Sequence, residues 1–223
     1  MKKWILLVGL LAFTAPMFGA IVIDFGDGGF TSGTITNNAA TVVGVGIAVE
    51  AMKVSVNGPF TTYFTTGGCA INAVTNPNGS ACLDFSFNKA TGLGNINIIG
   101  GVIGLPNAPN TIPNGTALLT GTNDSFTFSL SGDNITVRAN GPDTKDANLL
   151  AALGLGAFAG LNKWNIIDGF SIGARQVAGG NVYAAFSTDI PNSPVPEPAS
   201  ILLLGTVLFG VTHSIRRRMV SKS

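Results

Sequence analysis

The chain reads as a mainly β protein: an antiparallel β-sandwich or jelly-roll-like body with one short helix, an N-terminal signal peptide and a C-terminal transmembrane helix. Three observations predict this. Apolar and polar residues alternate with period two at many places between residues 21 and 190. Clusters of Asn, Gly and Pro punctuate the alternating runs. Only 10% of residues are charged, and the chain is rich in Gly, Asn, Thr and Ser and poor in strong helix formers, a composition that favours strands and turns.

Met1-Lys2-Lys3-Trp4 forms a short basic start, and Ile5 to Phe13 an apolar run. Pro16 and the small residues Gly19-Ala20 follow, completing a secretory signal peptide over residues 1–20 with cleavage expected after Ala20. Phe18 stands where a small residue is usual, and an uncleaved N-terminal anchor is the alternative.

Residues 21–190 form one exported body, long enough for a single domain with a sizeable core. Val45, Ile47 and Val49 fall on one face of a strand. Leu83, Phe85 and Phe87 alternate with Asp84 and Ser86, and Ile96 and Ile98 with Asn95 and Asn97. Ser125 to Leu130 places three apolar side chains on one face and three hydroxyls on the other. Ile135 and Val137 alternate with Thr136 and Arg138, so residues 125–131 and 134–139 predict a tight hairpin over Gly132-Asp133. Pro106 to Asn114, Gly141-Pro142-Asp143 and Asp27-Gly28-Gly29 carry turn chemistry. A helix is expected between Lys145 and Leu161, with Asp146 as its cap and Leu149, Leu150, Leu153 and Phe158 inward; Gly154, Gly156 and Gly160 weaken it. Trp164 to Gly173 and Asn181 to Ile190 read as closing strands.

Cys69 and Cys82 are the two cysteines, and their even number in an exported chain predicts one disulfide across the Asn76-Pro77-Asn78-Gly79 turn. Free thiols or metal ligation are the alternatives, but with no other Cys or His nearby a zinc site lacks ligands. The single histidine, His213, lies in the tail, so the body has no His for a Ser-His-Asp or Cys-His nucleophile or a His metal centre. Ser–Lys or paired-carboxylate chemistry stays open, with Asp24 and Asp27, or Asp143 and Asp146, as neighbouring carboxylates whose other reading is turn formation. No spacing matches an EF-hand, and Gly44-Val45-Gly46, Gly92-Leu93-Gly94 and Gly154-Leu155-Gly156 are not phosphate loops. No cofactor or metal is expected. All 11 acidic residues lie between Asp24 and Glu197, against six basic residues there, so this segment carries a net charge of −5 and has no electrostatic footprint for nucleic acid.

From Pro191 to Pro198 four prolines fall in eight residues, which predicts an extended linker over residues 191–198. Ala199 to Ile215 is an uncharged run of 17 residues, about 26 Å as a helix and close to the thickness of a bilayer's hydrocarbon core. Arg216-Arg217-Arg218 follows at once and predicts a stop-transfer cluster that, with residues 216–223, stays cytoplasmic. A buried C-terminal helix of a soluble domain is the alternative. Lys2 and Lys3 at the other end agree in placing the body across the inner membrane.

The tail resembles the PEP-CTERM sorting signal of Gram-negative bacteria, also catalogued as an ice-binding protein C-terminal domain. The resemblance rests on Val195-Pro196-Glu197-Pro198, the apolar run and the Arg cluster, and covers about 24 of the 223 residues. It implies transient residence in the inner membrane, recognition by an exosortase with the export machinery, cleavage near the motif, and release toward the cell surface or exopolysaccharide. The expectation for the whole chain is therefore an exported, exosortase-processed surface or extracellular-matrix protein without catalysis. A carbohydrate- or ligand-binding β-sandwich module, with Trp164 and Tyr63 as candidate aromatic platforms, is the first alternative. A carboxylate-dependent hydrolase is the second.

Overall fold

Inward apolar residues and outward hydroxyls at period two require extended strands with a partner on each side. The computed structural model describes residues 21–26, 32–69, 79–123, 125–160, 164–177 and 180–194, without the side chains of 123 and 165–169. Twelve strands run through these residues: β1 (Ile21–Gly26), β2 (Thr34–Asn37), β3 (Thr41–Val49), β4 (Ala51–Val56), β5 (Thr61–Thr66), β6 (Ala81–Asn88), β7 (Gly94–Ile103), β8 (Thr111–Asn123), β9 (Ser125–Ser131), β10 (Asn134–Lys145), β11 (Trp164–Gln176) and β12 (Val182–Pro194). All described pairings are antiparallel and belong to one sheet. Ala20–Pro194 forms a unit of its own, and Met1–Gly19 and Val195–Ser223 fall outside it.

The register merges several strands into longer rows. β1 and β2 lie one after the other along β12, through Ile23↔Asn192 and Ile35↔Tyr183. β3 and β4, separated by Glu50, pair with β2 and β1 on one side and with β6 and β5 on the other. β5 and β6 lie end to end along β7, with Thr66 opposite Gly101 and Cys82 opposite Ile99. β8 and β9 continue one another along β10, through Gly121↔Asp143 and Ser125↔Asn140. In chain order the rows are β1–β2, β3–β4, β5–β6, β7, β8–β9, β10, β11 and β12, and the last pairs with the first. The expected sandwich of two sheets is thus replaced by a single sheet that closes on itself in up-and-down order, which leaves no open edge where β12 meets β1. Local alternation cannot distinguish the two, because both bury one face of every strand.

Interior positions hold most of the predicted apolar residues, although Leu130 of β9 is 52% exposed. Leu83, Phe85, Phe87, Ile96, Ile98, Ile135 and Val137 are buried. Phe85, Phe87, Phe126 and Phe170 form a ring cluster, with Phe87 stacked on Phe126 at 4.5 Å between centroids. Two glycines create the space. Gly44 stands opposite Phe85 and Gly94 opposite Phe87 in the register, and a Cβ on either would lie 2.1 Å from the facing ring. Most strands turn their larger apolar residues inward, while Phe64 and Phe186 stay exposed and Thr65, Thr188 and Asn192 are buried.

Val45 departs from the expected face. It is 56% exposed, whereas Ile47 and Val49 are buried. The register slips between Gly44 and Ile47, where a bulge at Gly46 (φ 63°) inserts one extra residue and reverses the parity. Asp84 holds this bulge by accepting a 2.7 Å hydrogen bond from the Gly46 N–H.

The hairpin of β9 and β10 has the expected register, Ser131↔Asn134. The helix is shorter than the expected span. α1 covers Ala147–Ala152, and the Asp146 side chain accepts from the Leu149 N–H at 2.8 Å as its cap. Gly154, at φ 75°, ends it, and a single 3-10 turn follows at Gly156–Phe158. Leu149 and Leu150 are buried, and Asn107, between β7 and β8, donates to the Ala152 carbonyl at 2.9 Å. The helix therefore belongs to the end of the sheet where β10 finishes and β11 begins, which is also where β12 finishes.

Candidate functional site

Three groups of chemistry-bearing residues are positioned by this sheet. The first is the disulfide. Cys69 and Cys82 are joined, with their Cα atoms 5.3 Å apart. The bridge lies at a break in one row, where Thr66 and Ala81 meet beside Gly100. The Cys69 N–H donates to the Ser80 carbonyl at 3.2 Å, so the bridge ties the two sides of this break together. Thr65 stitches the break from below: its hydroxyl donates to the Val49 carbonyl and accepts from the Ala81 N–H. The turn at Asn76-Pro77-Asn78 lies outside the described residues.

The second group is a buried ion pair. Gly141-Pro142-Asp143 is not a turn: β10 continues through it to Lys145, pairing with β11 on one side and β8 on the other. Inward parity from Ile135 carries on to Asp143 and Lys145, whose side chains are fully buried 2.5 Å apart. The Lys145 ammonium also lies 4.6 Å from the centre of the Trp164 ring. Burial pushes Lys145 down to about 8, partly offset by the Asp143 charge. Burial likewise raises Asp143, against the pull of Lys145. Asp143 Oδ2 has no hydrogen-bond partner. Asp146, the other member of the candidate carboxylate pair, is engaged as the helix cap. The two acids therefore serve separate structural tasks. The signal for the ion pair was the unbroken alternation from Ile135 to Lys145, which turn-forming Gly141-Pro142 masked.

The third group lies at the closure. Asp24 of β1 faces Pro191 of β12 and Lys53 of β4, and Asp189 lies on the diagonal, opposite Gly26. Desolvation, followed by the Asp189 charge and a hydrogen bond with Asp189, pushes Asp24 up to about 6; the Ile190 N–H and Lys53 act in the opposite sense. Asp27 lies outside the described residues. Among the described residues, no group of three or more His, Cys, Asp or Glu side chains could hold a metal ion.

Neither candidate aromatic platform is fully exposed. Trp164 is buried and donates its indole N–H to the Phe158 carbonyl at 3.0 Å, and Tyr63 is partly buried against the core.

The tail begins where the sheet stops. β12 continues four residues past the expected end of the body, with Asp24↔Pro191, Ile23↔Asn192, Asn165↔Ser193 and Trp164↔Pro194. Pro191 and Pro194 are therefore strand residues, and the expected linker is reduced to Val195–Pro198. Residues 194–218 match the PEP-CTERM protein-sorting motif. The sorting motif thus starts at the last residue of the last strand. It marks an exported protein targeted to an exosortase. No curated protein matches the chain, and no solved structure does. Val195, Pro196, Glu197 and Pro198, the apolar run 199–215 and Arg216, Arg217 and Arg218 lie outside the described residues, as does the signal peptide. Among the described residues no helix is long and apolar enough to cross a membrane.

Proposed function

We propose that the protein is an exosortase substrate whose closed β body is delivered to the cell surface or extracellular matrix and acts there without catalysis. The observation that carries this reading is the sorting motif at 194–218, directly abutting the body's final strand. In this reading the apolar run Ala199 to Ile215 spans the inner membrane transiently, Arg216-Arg217-Arg218 holds the far side in the cytoplasm, and the transpeptidase cuts near Pro198. The non-catalytic character is supported by the engagement of the body's candidate acids in a helix cap, a buried ion pair and a strand junction. An exopolysaccharide is the partner this destination suggests.

Mass spectrometry of the exported form tests the reading. The expected species ends near Pro198 and lacks the apolar run. Recovery of full-length chain from the inner membrane of an exosortase-positive host overturns it.

A further inference from the structure

A processing enzyme takes its substrate as an extended, unpaired strand, so the residues on both sides of the scissile bond must be free of secondary structure. Here only Val195–Pro198 separates the last sheet residue from the apolar run, a reach of about 13 Å fully extended. The residues just upstream are held on both sides. Pro191 and Asn192 pair with β1, and Asn192, Ser193 and Pro194 pair with β11. Asn192 is fully buried, and its side-chain N–H donates back to the Ile190 carbonyl at 2.6 Å.

The same strand closes the sheet, its N-terminal part, Val182–Ala184, against β2 and its C-terminal end against β1. Its pairing with β1 covers Asp189 to Asn192 only, against Gly26 to Ile23. β1 is the first described strand, so the closure joins the two ends of the body at one seam. A short seam can open locally without unfolding the remainder.

Resting on the sorting reading above, we propose that the end of β12 is a strap: cleavage at the motif proceeds from a state in which Pro191–Pro194 have peeled away from β1 and β11, so the stability of the seam sets the processing rate. A folded body then delays its own release, and the cut chain end can return to the seam and restore its pairing with β1 and β11.

Two variants separate this from a motif that is already free. In the first, a six-residue Gly-Ser spacer is inserted between Pro194 and Val195. In the second, Ile23→Ala loosens the β1 side of the seam. Processing of radiolabelled precursor is followed in an exosortase-positive host. The spacer is expected to raise the rate at least about fivefold, and Ile23→Ala to raise it in the native chain but not in the spacer chain. Equal rates for native and spacer chains overturn the strap. A parallel pair of chains carries the site of an added sequence-specific endopeptidase in place of Val195–Pro198, with and without the spacer. The same spacer dependence there supports the strap even when the exosortase arm shows no cleavage, an outcome that counts against the sorting reading alone. Equal cleavage of that pair overturns the strap independently of exosortase.

Discussion

Asp143 and Lys145 show how much a single inward position can demand. A buried ammonium and carboxylate are tolerable only together, because either alone is an uncompensated charge in an apolar surrounding. Lys145→Ala is therefore expected to destabilise the body by about 3–5 kcal/mol in urea unfolding, and the double variant Asp143→Leu/Lys145→Met to return it to about the native level or above. A double variant as unstable as the single one contradicts this account. Glycine makes the complementary demand. At Gly44 the missing Cβ is what lets the Phe85 ring lie flat against β3. Gly44→Ala should lose about 1–3 kcal/mol through overpacking, and Phe85→Leu in the same chain should recover part of it. The Phe positions were legible as an alternating stripe. The glycines opposite them were not, since they belong to other strands and become partners only through register.

At the scale of elements, the strands that alternate cleanly were readable, and the places where they break were not. The β9–β10 hairpin follows from a tight turn between two alternating runs. The bulge at Gly46 turned Val45 outward, and neither residue carries a local sign of it: the decision rests on Asp84, which lies 38 positions away and accepts the Gly46 N–H. Gly141-Pro142 looked like a turn because its residue types favour one, but strands β8 and β11 supply pairing on both sides and hold the segment extended. The disulfide was readable from the two cysteines, whereas its place at the break between β5 and β6 was not. Replacing both Cys69 and Cys82 by Ser is expected to lower stability by roughly 3 kcal/mol in the chain-entropy account. Loss of protection from hydrogen exchange should concentrate at Thr65, Thr66 and Ala81, which lie at the break beside the bridge. Uniform loss across the sheet would argue against a local clamp.

For the whole molecule, closure ties stability to pH. Desolvation at the closure pushes the Asp24 carboxyl up to about 6 from its ordinary 3.8. A carboxyl raised in this way is favourable to folding when protonated: its contribution is complete below pH 3.8 and disappears as pH rises through 6. Thermal melts should therefore show a body more stable near pH 4 than near pH 7 by about 1 kcal/mol from this source, allowing for solvent screening of a partly exposed group. Asp24→Asn should flatten that dependence. Asp189 and Lys53 face the same point, so an unchanged profile in the variant would assign the dependence to other groups.

The amino-acid sequence alone determined the β character, the inward residues of most strands, the helix cap at Asp146, the cysteine pairing and the sorting tail, because each is written in neighbours a few positions apart. The tertiary structure decided that the strands close into one sheet, that Asp143 and Lys145 meet inside it, and that β12 runs on to the edge of the sorting motif. Those outcomes depend on which strand lies beside which. That is set by hydrogen-bond register between segments as distant as residues 23 and 192, and no local pattern encodes it.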